Sequence, residues 1–181
     1  MSKKRSTEQS VSTLEVVTSS VEETQSLGEA LGRALRAGDV LALYGELGSG
    51  KTTLIQGIAR GLERAPETIK SPTFVLMREY PGEIPLVHLD GYRLSGAPSV
   101  AWLDMELLFA PEKITVIEWA ERCDGLLPED CVTIRLQHVS ANRRRLALIP
   151  SGARSEAVVK QFQAALPQSS ETPTPETQGP A

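Results

Sequence analysis

The order of apolar runs and glycine-rich turns along this chain predicts an α/β fold of three layers with a mixed, mainly parallel central sheet, and three observations carry that prediction. The apolar run Val40-Leu41-Ala42-Leu43-Tyr44 is followed by Gly45-Glu46-Leu47-Gly48-Ser49-Gly50-Lys51-Thr52-Thr53, and a helical pattern begins at Lys51. Two further apolar runs, 86–90 and 114–118, each end in an acid, Asp90 and Glu118. Finally, segments 74–80 and 84–90 flank the turn Pro81-Gly82-Glu83 and are spaced as an antiparallel hairpin, which makes the sheet mixed.

Taken in order, residues 1–12 read as a flexible polar arm and 14–17 as a short edge strand. Ser20, with Glu23 three residues on, resembles a capping box, and Leu27, Ala30, Leu31, Ala34 and Leu35 fall at helical spacing, with Gly38 placed to end the helix. The continuous run 40–44 is a buried strand, and Leu54, Ile55, Ile58, Ala59 and Leu62 give the next helix its apolar face. Lys70-Ser71-Pro72-Thr73 is turn-prone and leads into a strand over 74–80. A short helix over 98–109, a strand over 114–118, a closing hairpin over 131–139 and 144–149, and a helix from 154 to 166 complete a single domain spanning 13–166. From 167 to 181 the chain is Pro, Ser, Thr, Glu, Gln and Gly with almost no apolar content, too little to offset ordering entropy, and it is expected to be disordered.

At 181 residues, 40% hydrophobic and 23% charged, the chain suits one well-buried domain. No apolar stretch is long enough to span a bilayer and the first residues lack a signal-peptide core, so a cytoplasmic protein without a membrane role is expected. The net charge of −4 argues against the broad basic face that grips nucleic acid unaided. Arg143, Arg144 and Arg145 form one basic run at a hairpin turn and read as solvated. Cys123 and Cys131 read as reduced structural thiols, and His88 and His138 as packed or surface residues.

The chemistry concentrates in residues 45–53. Polyphosphate is held by backbone N–H groups that converge on its oxygens, an approach that side chains at Gly45, Gly48 and Gly50 would obstruct. Lys51 then supplies a point charge to the β- and γ-phosphates, Thr52 a hydroxyl for Mg2+, and the following helix its positive dipole end. This is a P-loop, the signature of a nucleotide-binding fold. Hydrolysis or transfer also needs a strand-end carboxylate near the γ-phosphate, and Asp90 and Glu118 compete for that role, one to support Mg2+ and one to orient the attacking group. Thr73, after a proline, is placed to sense the γ-phosphate as a switch-loop hydroxyl would. Residues 18–24 precede the first helix and could close over a base, though nothing in their spacing demands it.

Together, GELGSGKTT, then SPTF at 71–74, HLDGYRL at 88–94 and VIEWAER at 116–122 closely resemble the TsaE (YjeE) family over roughly residues 14–150. That resemblance implies a small ATPase, weak alone and dependent on TsaB and TsaD type partners, that supports formation of threonylcarbamoyladenosine in tRNA and meets tRNA only indirectly. It implies that Glu46, Gly48, Ser49, Gly50, Lys51, Thr52 and Thr53 bind ATP, that Thr52 and Glu118 hold Mg2+, and that Asp90 is the second essential acid. It also places Thr73 in a switch-like segment and gives Trp119 a role in activity near the nucleotide, where physics alone reads half-buried packing. Two departures stand out: Gly91, where a bulkier residue is usual, adds backbone freedom beside Asp90, and 97–108 lacks the family's Glu-rich helix and Leu-Gly pair. The alternative is a small P-loop nucleotide or metabolite kinase, although no insertion of lid size is visible. A GTPase is opposed by the absence of an Asn-Lys-x-Asp motif, since Asn142 is the only asparagine. A nucleotide-bound interaction module with vestigial hydrolysis shares every residue with the first reading except the weight placed on Asp90.

Overall fold

A computed structural model describes residues 13–94, 105–123 and 125–167. The expected arm, most of the 98–109 helix and nearly all of the expected tail lie outside those residues. Seven strands form one sheet in the order β1-β7-β6-β2-β5-β4-β3. The strands are β1 (Leu14–Thr18), β2 (Val40–Tyr44), β3 (Met77–Tyr80), β4 (Leu86–Asp90), β5 (Ile114–Glu118), β6 (Val132–His138) and β7 (Arg144–Pro150). The central strands β6, β2, β5 and β4 run parallel, and both flanks pair antiparallel. Every residue of β4 and β5 is buried, as their largely apolar sequences require when both faces of a sheet are covered.

One face carries the helices α1 (Val21–Ala34), α2 (Lys51–Gly61) and α4 (Ala153–Ala165), whose Leu31, Ile55, Ile58 and Phe162 pack on Leu41, Leu43 and Val116. The other face is covered by shorter pieces: Leu94, Leu108 at the end of helix α3 (Met105–Leu108), Ala120 and Leu126 pack on Val40, Ala42, Val87 and Ile117.

Several local expectations change in detail. Ser20 caps α1 by accepting from the N–H of Glu23 at 3.0 Å, but Glu23 reaches back to the N–H of Ser19, at 2.6 Å, so the reciprocal bond shifts by one residue. The helix stops at Ala34, and Gly38 instead takes φ +85° in the turn that feeds β2. The 74–80 strand begins only at Met77, because the N–H groups of Val75 and Leu76 turn back to the Pro72 carbonyl at 2.9 and 2.7 Å. Proline at 72 favours such a turn over a ladder.

Helix α1 is seated on α2 by glycines. A Cβ at Gly28 would stand 2.3 Å from the Leu54 carbonyl oxygen, and one at Gly57 2.1 Å from that of Gln25. Backbone lies on backbone, which locks α1 to the helix that begins in the phosphate loop.

Candidate nucleotide site

The loop between β2 and α2 starts with a constraint from the core. A Cβ at Gly45 would meet the Leu136 carbonyl oxygen at 2.6 Å and Ser49 Oγ at 2.7 Å. At Gly48 and Gly50 no protein atom crowds the position, since a Cβ would meet only His138 Nε2 at 3.9 Å in the first case and nothing within 4 Å in the second. Conformation by itself favours glycine there, φ +76° and +103°, which L side chains rarely adopt. The loop leaves open space above these positions, the form of a cradle that backbone N–H groups can present to an anion.

Lys51 is buried at the head of α2. Its Nζ donates to the carbonyl oxygens of Gly45 at 2.6 Å and Glu46 at 3.0 Å, and sits 3.9 Å from the centroid of the Trp119 ring. Burial lowers its pKa below the ordinary lysine value, opposed by the charges of Glu118, Glu121 and Asp90. Trp119 holds a left-handed backbone, φ +55°, and packs 5.0 Å from Tyr92 between centroids. Partial burial against Lys51 and Tyr92 fits the packing role expected, and it also sets the indole in the cleft. Glu46 contributes through its carbonyl, whereas its side chain is exposed.

The two strand-end acids face each other in register, Asp90 beside Glu118 across β4 and β5. Thr52 Oγ1 lies 3.0 and 3.1 Å from the two oxygens of Glu118, so α2 and β5 are joined at the point where the phosphate loop ends. Asp90 Oδ1 accepts from the N–H of Tyr92 at 2.8 Å, and its Oδ2 accepts from Thr73 Oγ1 at 2.5 Å and from Ser71 Oγ. Lys51, Thr52, Thr73, Asp90, Glu118 and Trp119, together with Gly48, Gly50, Thr53 and Ser71, line one cleft of about 410 Å3. Glu46 and Ser49 lie apart from this cleft, and Ser49 is buried with an Oγ that has no hydrogen-bond partner among the described residues.

Two residues of this constellation were not singled out from the sequence. Ser71 reaches Asp90 because the turn at Pro72 folds its hydroxyl inward. His88, read as a packed or surface residue, is fully buried and places Nε2 2.9 Å from Glu118 Oε1. The available signal was the strand period of two, which puts His88 on the same face as Asp90. His138 is exposed, and Arg143 to Arg145 lie on or beside the β6–β7 turn. Cys123 and Cys131 are both buried, with burial raising the Cys131 pKa against bonds from Ser151 and Thr133. Gly91 departs from its expected role. Its φ lies outside the left-handed region, and a Cβ there would stand 2.7 Å from both Cys123 Sγ and the Trp119 carbonyl oxygen, so close approach is what excludes a side chain.

The donor set suits a hard divalent cation. Thr52 and Glu118 offer oxygen alone, and among the described residues no group of three or more His, Cys, Asp or Glu could hold a metal without help. Such a pair matches Mg2+, which binds through one or two protein oxygens and completes its shell with phosphates and water. A second cavity of about 190 Å3 adjoins the other side of the loop, where Ser20, Val21 and Thr24 of the α1 entrance meet Gly50, Thr53, Asn142 and Arg144. Among the described residues no helix is long and apolar enough to cross a membrane.

A glycine loop joining a central parallel strand to a helix, with lysine and threonine at the helix head and acids ending the neighbouring strands, defines a P-loop protein of the nucleotide-binding class. The model of the family "Threonylcarbamoyl adenosine biosynthesis protein TsaE" matches residues 18–146, and the chain belongs to that family. The tRNA threonylcarbamoyladenosine biosynthesis protein TsaE of a Nostoc species is 41% identical over 71% of this chain and 81% of its own length. The protein of the same name from Bacillus subtilis is 32% identical over 78% and 88%. The crystal structure of Bacillus subtilis YdiB superposes with a TM-score of 0.71 at 29% identity, covering 85% of this chain and 96% of that one.

Proposed function

We propose that this chain is a Mg2+-dependent ATPase that binds and hydrolyses ATP in support of the protein complex forming threonylcarbamoyladenosine in tRNA. The observation that carries the reading is the convergence of Lys51, Thr52, Asp90 and Glu118 on one cleft beside a glycine loop. Membership of a family whose relatives are named for that pathway supplies the biological setting.

Backbone N–H groups of residues 48–53 wrap the phosphates at the positive end of α2. The Lys51 ammonium moves from the Gly45 and Glu46 carbonyls to the β- and γ-phosphate oxygens, where a fixed charge lowers the barrier to phosphoryl transfer. Thr52 and Glu118 hold Mg2+, which when bound neutralises charge on the β- and γ-phosphates. Asp90 orients the attacking water. Ser71 and Thr73 aim its Oδ2, and Thr73 reports the γ-phosphate to the 71–76 segment. The nucleoside extends past Thr53 into the cavity beside Ser20, Val21 and Thr24. The products are ADP and phosphate, and the net charge of −4 fits a protein that leaves tRNA to its TsaB and TsaD type partners.

The test is ATP hydrolysis by the purified chain, alone and with TsaB and TsaD from the same organism, against Lys51→Ala. Stimulation by the partners that is lost in the variant is the expected result. An unchanged rate without complex formation would reject the partner-dependent ATPase, and phosphate transfer to a member of a nucleoside and metabolite panel would make the protein a kinase instead.

A further inference from the structure

His88 stands behind the acid that the proposed function assigns to Mg2+. Its ring is wholly buried in β4, Nε2 lies 2.9 Å from Glu118 Oε1, and Nδ1 has no hydrogen-bond partner among the described residues. A carboxylate only accepts, so the proton of this bond resides on Nε2. The unpartnered Nδ1 then bears only a lone pair, a smaller desolvation penalty than a buried N–H without an acceptor. One tautomer is thereby selected by geometry alone.

The consequence falls on Glu118. Its side chain receives donors from opposite sides, the imidazole from the neighbouring strand and the Thr52 hydroxyl from α2. Thr52 alone touches both oxygens nearly equally, at 3.0 and 3.1 Å, and does not choose between them. His88 does choose, because it binds Oε1 alone and so fixes the rotation of the carboxylate. An apolar residue of similar volume would fill the same space and leave that rotation open.

We propose that His88 is a positioning residue: its Nε2–H locks the Glu118 carboxylate in the orientation that a divalent cation beside Thr52 requires. The inference rests on the reading of Thr52 and Glu118 as the metal-holding pair. Partners of this kind, which orient a metal-binding carboxylate without touching the metal, typically alter metal affinity by about 10–100-fold when removed.

The experiment compares the full chain with His88→Leu, which keeps apolar bulk, and His88→Gln, whose amide N–H can reach the position of Nε2. Mn2+ binding is measured by the loss of the free-ion paramagnetic resonance signal in the presence of a non-hydrolysable ATP analogue, and analogue binding is measured separately in chelator. His88→Leu is expected to weaken Mn2+ about 10–100-fold, to leave metal-free analogue binding within about twofold, and to be largely rescued in His88→Gln. Unchanged Mn2+ affinity in His88→Leu, an equal loss in His88→Gln, or an equal loss of metal-free analogue binding would each overturn the inference. In the metal-free chain, nitrogen NMR of the imidazole is expected to show a protonated Nε2 whose signal moves in Glu118→Gln. The opposite tautomer would overturn the inference whatever the metal does. If the unsubstituted chain binds Mn2+ no better with the analogue than without it, the metal reading of Thr52 and Glu118 fails, and this inference fails with it.

Discussion

Asp90 and Glu118 look alike in sequence, each following four largely apolar residues, and they sit side by side in the sheet, 1% and 2% exposed. Their surroundings differ. Glu118 is held by Thr52 at the head of α2 and by His88 within β4, both parts of the packed interior. Asp90 is held mainly by Ser71 and Thr73, on a segment that carries Phe74 at 84% and Val75 at 57% exposure. A segment with so little apolar burial belongs to the part of a fold that opens most easily. One acid is thus fixed with the scaffold, whereas the other is set by a loop, which suits the first to hold an ion and the second to respond to a γ-phosphate.

The strongest way to break this contrast is to neutralise each acid in turn. Glu118→Gln and Asp90→Asn should each lower the hydrolysis rate by about 10^2–10^3-fold. Only Glu118→Gln should also raise the metal concentration needed for half-maximal nucleotide-dependent Mn2+ binding by more than about tenfold. An equal rise in Asp90→Asn would erase the distinction between the two.

A smaller effect sharpens the Asp90 side. Thr73→Val should reduce hydrolysis about tenfold, roughly one charge-assisted hydrogen bond at the rate-limiting barrier, because Ser71 still donates to the same oxygen. Its dependence on metal should not change. A shift in metal dependence, read from a magnesium titration of the initial rate, would place Thr73 with Glu118 instead.

The smallest expected effect comes from a third carboxylate with no part in the cleft. Asp130 accepts from the N–H groups of Arg154 and Ser155, at 2.9 and 3.0 Å, and so caps α4 from 24 and 25 residues away. Burial tends to raise its pKa, but the bonds from Ser155 and Arg154 and the charge of Arg154 outweigh it, and the carboxyl lies below its ordinary value. A depressed carboxylate contributes stability that is present above its unfolded pKa of about 3.9 and is lost as pH falls through its folded value. Asp130→Asn, which removes the charge at the helix N-terminus and one of the two acceptors, should therefore cost about 1 kcal/mol near neutral pH, and urea unfolding of the two proteins should converge once the pH falls below that folded value. ATP hydrolysis should be unaffected, in contrast to both cleft acids.

Much of this architecture is legible along the chain because its signals are local. Largely apolar runs mark strands 40–44, 86–90 and 114–118, and the structure gives them the same limits. Where a neighbour intervenes, local patterns mislead. The 74–80 run has strand composition, yet the N–H groups of Val75 and Leu76 turn back to the Pro72 carbonyl, and Asp90 holds that turn through Ser71 and Thr73. Gly38 carries a helix-stop signal, yet its N–H goes to the Lys113 carbonyl at 2.5 Å, a partner supplied by the sheet.

By itself the sequence determined the phosphate loop, the strands that flank it, the two acids and the family resemblance, since each is written in contiguous residues whose backbone preferences and chemistry act over a few positions. Tertiary structure alone decided that Asp90 stands beside Glu118, that Thr52 meets Glu118 across 66 residues, and that His88 reaches the same carboxylate across 30. Those distances depend on strand order and register. Burial of every strand face together sets them, and no local window contains that information.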